Sequence, residues 1–269
     1  MKTADKAWLG LLAALAVVAW MRNTRWWGEA SDVLPILIAL PLGAWLGKPW
    51  RFLDAPFRLN QTWLGLGILL TVLGGFLSVT LLLAAGWTLL LWAWLSERIS
   101  RDDHQRARRI LVFGFLAFPW VTLDLEQVGW WFRLSGAWVT ASLFSAAGFH
   151  VIHDGTQLTI QGAPISVTAA CSGLKVLQSM LIAGSFLAHV LLGDTPRYWR
   201  NIAALAPIAW AANTARILLI SVASLTFGQE FAMGLFHTWG GLSVLVLMFV
   251  ACWALFQWQA PRTDARPTA

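Results

Sequence analysis

The stretch Thr62–Leu95, TWLGLGILLTVLGGFLSVTLLLAAGWTLLLWAWL, runs for 34 residues without one acidic or basic side chain. An apolar run is read as a membrane span once it reaches about 18 residues, and roughly 20 cross a bilayer, so this stretch predicts two spans joined by a tight bend, set near Gly74-Gly75 to Gly86. The same texture repeats on either side of it. Apolar runs at about 7–21, 33–47, 110–123, 174–192, 201–226 and 238–258 join the pair at 62–78 and 79–95 to give a working count of eight spans. Lys2 and Lys6 precede the first run, but no clear small-residue cleavage site follows it, and it is kept as a span.

Composition agrees. Of 269 residues, 58% are hydrophobic and 12% charged, against about a quarter charged in a soluble domain. A soluble globule, a disordered chain and a coiled coil are excluded, and an all-α integral membrane protein is expected. The net charge of +6 does not call for nucleic acid, because the basic residues flank apolar runs, where they set topology. With the N-terminus inside, fourteen of the nineteen basic residues fall on the cytoplasmic side. Arg22, Arg25, Arg133 and Lys175 fall outside, and Arg216 lies within a span. Both termini are therefore expected in the cytoplasm of a multi-pass protein of the cytoplasmic membrane, with lipid as its surroundings. The many tryptophans near run ends, such as Trp26-Trp27, Trp92, Trp94 and Trp130-Trp131, are expected at the membrane–water boundary.

This reading divides the chain into five spans over 1–123, an extracytoplasmic segment over 124–173, a three-helix core over 174–258 and a cytoplasmic tail over 259–269. Within the second part, Leu134–Gly148 is uncharged but carries Ser135, Thr140, Ser142 and Ser145, which suits a short helix lying along the interface. A β-hairpin is expected next. Phe149–His153 and Thr156–Ile160 flank Asp154-Gly155, a turn signal that asks for positive φ at both central residues. Pro164–Thr168 adds a third short strand.

Three polar features converge on one side of the predicted membrane: Cys171 after the hairpin, Arg216 in the seventh span and His237 before the eighth. An arginine inside a span costs about 2.5 kcal/mol or more and usually faces a cavity. Asn213, three residues earlier, shares its side of the helix. Each residue alone also has a plain reading: Cys171 as packing, Arg216 as a structural bridge, His237 as an interfacial cap. Together they offer a thiolate, a cation that favours it and an imidazole that moves protons. Cys252, near the other end of its span, is read as packing. His150 and His153 sit in a strand-like segment and no Cys/His pattern accompanies them, so no metal and no cofactor is expected.

These residues resemble those of the exosortase/archaeosortase family of multi-spanning sorting enzymes. The resemblance is carried in order by Ala170-Cys171-Ser172-Gly173, Asn213-Thr214-Ala215-Arg216 and His237-Thr238-Trp239-Gly240-Gly241, over about residues 130–258. It implies Cys171 as nucleophile, Arg216 as its cationic partner and His237 as the third member, with Ser172, Gly173 and Asn213 supporting or binding substrate. It implies as substrate an exported protein whose C-terminal sorting tail has a short motif, a membrane helix and a basic end. Many members carry an acid before the cysteine and an arginine after the glycine, where this chain has Ala170 and Lys175. The division of roles between Arg216 and His237, and the acceptor that releases the acyl-enzyme, stay open. Two other classes stay open as well: a small-solute transporter or channel with Arg216 as an anion site, and a structural assembly subunit.

Overall fold

A computed structural model describes residues 2–28, 30–167, 172–193 and 195–260, with backbone alone at 30–32, 166, 233, 235–242 and 245. The chain is mostly helical and divides into two compact units, Met1–Glu126 and Gln127–Ala269.

The first unit contains α1 (Thr3–Arg22), α2 (Ala30–Leu46), α3 (Gln61–Leu77), α4 (Thr80–Leu95), α5 (His104–Leu116) and α6 (Trp120–Asp124). The long apolar stretch does fold as a hairpin, α3 against α4, but the glycines are not its bend. The chain turns at Ser78, left-handed at φ 59°, and Val79. Gly74 and Gly86 instead form the seam: a Cβ on Gly74 would lie 2.8 Å from the Leu83 nitrogen, and one on Gly86 would strike Thr71. Lipid gives apolar helices no reason to associate, so they pack where small residues let backbones approach.

Two further differences are physical. The run at 110–123 does not form one helix, because Pro119 cannot continue α5, and the chain restarts as the short α6. Trp92 and Trp94, which the sequence sets near run ends, are buried against protein at 5% and 3% exposure. Trp20 and Trp87 donate their indole N–H groups to the carbonyls of Ala117 and Leu12. Trp94 donates to Asp5 at 2.9 Å, and the Arg98 guanidinium closes on the same carboxylate, tying the start of α1 to the end of α4. These three indole N–H groups and the Asp5 carboxylate thus meet partners inside the unit.

The second unit contains α7 (Glu126–Ala146), a three-stranded sheet, α8 (Leu174–Leu192), α9 (Arg197–Phe227), α10 (Gln229–Met233) and α11 (Leu235–Gln259). The helix expected at 134–148 starts eight residues earlier, since nothing between Glu126 and Leu134 breaks it and Gly129 is used for packing. Strands β1 (Val151–Asp154), β2 (Gln157–Ile160) and β3 (Ala163–Ser166) pair antiparallel in sequence order. Asp154 pairs with Gln157, so the first turn is Gly155-Thr156 and only Gly155 takes a positive φ, +58°. The turn with positive φ at both centres is the next one, Gln161-Gly162 at +51° and +81°. One sheet face carries Leu158, Ile160 and Ile165 onto Ala137, Ala141 and Phe144 of α7 and Ile217 of α9.

Among the described residues three helices, Thr3–Arg22, Leu174–Leu192 and Arg197–Phe227, are long and apolar enough to cross a membrane. Val33–Leu46, Gln61–Leu77, Thr80–Leu95 and Val246–Gln259 are shorter apolar helices.

Candidate functional site around Gly173 and Asn213

Gly173 caps the start of α8 in the left-handed conformation, φ +74° and ψ −2°, and its carbonyl accepts from Leu177 N–H at 2.8 Å. Glycine occupies such a position without strain. Space imposes the same choice, because a Cβ at 173 would lie 2.8 Å from Asn213 Cγ and 3.1 Å from its Oδ1. The loop leading into α8 is therefore pressed onto α9 at Asn213, which is 2% exposed. Arg216, one helical turn further along, is buried at 8% exposure.

Helix α7 closes the same place from another side. A Cβ on Gly129 would lie 3.1 Å from Ser172 Cβ and 2.8 Å from Leu174 Cδ1. Seven residues on, a Cβ on Gly136 would lie 2.8 Å from Ile217 Cδ1 and 3.5 Å from Thr214 Oγ1. Ser135 and Trp210 add a hydrogen bond, indole N–H to hydroxyl oxygen, of 2.8 Å. Ser172, Gly173, Asn213 and Thr214 thus share one neighbourhood among α7, the α8 cap and α9. Ile217 links it to the sheet, whose third strand leads into the segment that carries the cysteine.

Of the residues singled out by sequence, the structure brings together Ser172, Gly173, Asn213 and, on the same helix, Arg216. Cys171 lies outside the described residues. His237 lies in the first turn of α11, where the backbone alone is described. The lower ends of α9 and α11 are pinned to each other, Asn201 Nδ2 donating to Gln259 Oε1 at 2.9 Å. Counting from there at 1.5 Å per residue, Arg216 stands about 22 Å along α9 and His237 about 33 Å along α11. The neighbourhood around Gly173 and Asn213 is therefore nearer the level of Arg216 than that of His237.

The helix expected at 134–148 leaves out the first eight residues of α7, and with them Arg133, which the charge count places among the outer segments. Arg133 stands on α7 between Gly129 and Gly136. The signal was present as two glycines seven residues apart with an arginine at i+4 of the first, all on one helix face. Among the described residues no group of three or more His, Cys, Asp and Glu could hold a metal ion.

A family model described as transmembrane exosortase matches residues 7–255 of the chain. No curated protein matches, and no solved structure does.

Proposed function

Because the chain belongs to the transmembrane exosortase family, we propose that this multi-pass membrane protein is a cysteine peptidase or transpeptidase that removes C-terminal sorting signals from exported proteins. The observation that carries the reading is the contact of Gly173 with Asn213. In the sequence Cys171 stands two residues before Gly173, whose contact is with the helix that bears the buried Arg216.

In this mechanism the Cys171 thiolate attacks the scissile carbonyl, a thioester forms as the C–N bond breaks, and the departing amine takes a proton from His237. Water or an amine acceptor then attacks the thioester and returns the thiolate. Arg216 favours the thiolate electrostatically or donates to the oxyanion of the tetrahedral intermediate. Ser172, Gly173 and Asn213 set the backbone of the nucleophile loop and border the substrate. The site faces the outside of the cytoplasmic membrane, with both termini within, in keeping with the bias of basic residues to one side.

The test is to trap a covalent adduct between Cys171 and a cellular membrane protein, quenched under acid to preserve the thioester and identified by mass spectrometry. An adduct lost in Cys171→Ala and retained in Cys252→Ser supports the reading. If Cys171→Ala leaves the processing of membrane proteins unchanged, the chain is not a cysteine peptidase, and a transporter with Arg216 as its anion site takes its place.

A further inference from the structure

Arg133 is a partly buried cation without an assigned task. Its Nε is buried and has no hydrogen-bond partner, and among the described residues no carboxylate forms an ion pair with it. A guanidinium carries five N–H donors in a fixed fork and cannot shed its charge, so an unanswered one at a partly buried position marks a binding function more readily than a packing one.

Its direction follows from α7. Gly129, Arg133 and Gly136 stand at i, i+4 and i+7, one face of the helix. The first touches Ser172 and Leu174, and the last touches Thr214 and Ile217, so that face looks onto the α8 cap and α9. A helical side chain leans toward the N-terminal end of its own helix and covers the turn before it. Arg133 stands between the glycine that meets Thr214 and the one that meets Ser172, and the lean of a helical side chain aims it toward the Ser172 end.

We propose that Arg133 is a second cationic residue of this site and binds an oxygen anion of the substrate, either a side-chain carboxylate near the scissile bond or the oxyanion of the tetrahedral intermediate. The proposal rests on the cysteine-peptidase reading for its location beside the nucleophile. A planar fork holds two oxygens at once, so Arg133 fixes the orientation of the bound group, which a lysine at this position would not do.

The test uses a small carboxylate in place of the substrate. In a Cys252→Ser background Cys171 is the one remaining thiol, since the chain has two cysteines. Its alkylation is measured with neutral iodoacetamide and with anionic iodoacetate, which transfer a carbon to sulfur with loss of iodide and differ in charge. Arg133→Gln should lower the iodoacetate-to-iodoacetamide rate ratio about 3- to 10-fold, as expected for one charge removed at partly screened range, with the iodoacetamide rate held. Arg133→Lys should restore part of the ratio and guards against a folding defect in the first variant. An unchanged ratio in Arg133→Gln overturns the proposal. The source of the anion is read on the membrane protein captured by Cys171. If neutralising an acidic side chain of that protein slows the wild type but not Arg133→Gln, the bound group is the side-chain carboxylate. A fall in kcat at constant KM, whatever the substrate's charge, assigns the oxyanion. Failure of the cysteine reading itself shows separately, as retained processing in Cys171→Ala.

Discussion

Gly173 and Asn213 meet at a separation that a side chain larger than hydrogen does not allow. The left-handed φ of +74° and the 2.8 Å that would separate a Cβ at 173 from Asn213 Cγ are independent constraints, and both select glycine. Gly173→Ala should therefore cost about 1–2 kcal/mol in backbone strain alone and further displace the α8 cap from α9. The expected outcome is a lower melting temperature together with loss of substrate processing. Gly148→Ala, at φ +88° but with open space around it, should share the strain and keep the activity. Equal processing in the two variants would mean that the contact with Asn213 does not matter to the chemistry.

The sheet packs its apolar face against α7 and α9. Ile160 is fully buried in the cluster that includes Ile217, and Ile160→Ala should destabilise by about 2–5 kcal/mol through lost burial and the cavity left behind. Ile152 points the other way at 58% exposure, and Ile152→Ala should stay within about 0.5 kcal/mol. Thermal unfolding in detergent, followed by tryptophan fluorescence, separates them. A silent Ile160→Ala would show that the sheet does not rest on α7 and α9.

The α3–α4 hairpin gives a matched pair of glycines. Gly86→Leu should drive the helices apart, since even a Cβ at 86 strikes Thr71, whereas Gly65→Leu meets open space. The amount of folded protein recovered from membranes should fall for the first and hold for the second. Similar recovery would remove the seam as a stabilising feature.

What was legible in the sequence follows from what a local pattern encodes. Uncharged runs gave the helices because the bilayer makes length and polarity decisive, and alternation with a Gly-containing turn gave the strands. The turn itself was displaced by one residue. Asp154 keeps its ladder partner Gln157, so the positive φ falls on Gly155 alone. Glycine has two uses in a membrane helix, bending and packing, and the sequence at Gly74 and Gly86 does not distinguish them. Arg98 and Arg133 were counted as topology charges, because a positive charge near a span end reads the same whether it meets water, Asp5 or the face of another helix. Asn213 and Arg216 were found because polar groups inside an apolar run are costly wherever they point. The contact of Asn213 with Gly173 was not, because it joins positions 40 residues apart.

Sidedness is tested by reporter fusions. A periplasmic reporter inserted after Gly155 should be active and a cytoplasmic one silent, with the reverse after Ala269. The same sidedness at both positions would break the eight-span reading, and with it the assignment of the site to the outer face.

Arg216 is where structure and chemistry are hardest to separate, and the substitution by lysine separates them. If its charge lies beside Cys171 the thiolate is favoured, and the thiol should react with iodoacetamide at lower pH than a free cysteine of pKa about 8.5. The sign follows from the cation: a positive neighbour stabilises the charged form of an acid, so the alkylation profile shifts to lower pH and returns upward when the charge is removed. Arg216→Lys keeps the charge and loses the fork of donors. A role as a point charge predicts a retained shift and partial processing, whereas donation to the oxyanion predicts a retained shift with processing down by about 100-fold or more. Arg216→Ala should lose both. The variants must also be compared for folded amount, because Arg216 is buried at 8% exposure, and removing a buried cation can unfold the helix pair around it. If the wild type, Arg216→Lys and Arg216→Ala all alkylate with one pH profile, Arg216 does not tune the thiol, and its place inside the membrane belongs to substrate binding or to a structural bridge on α9.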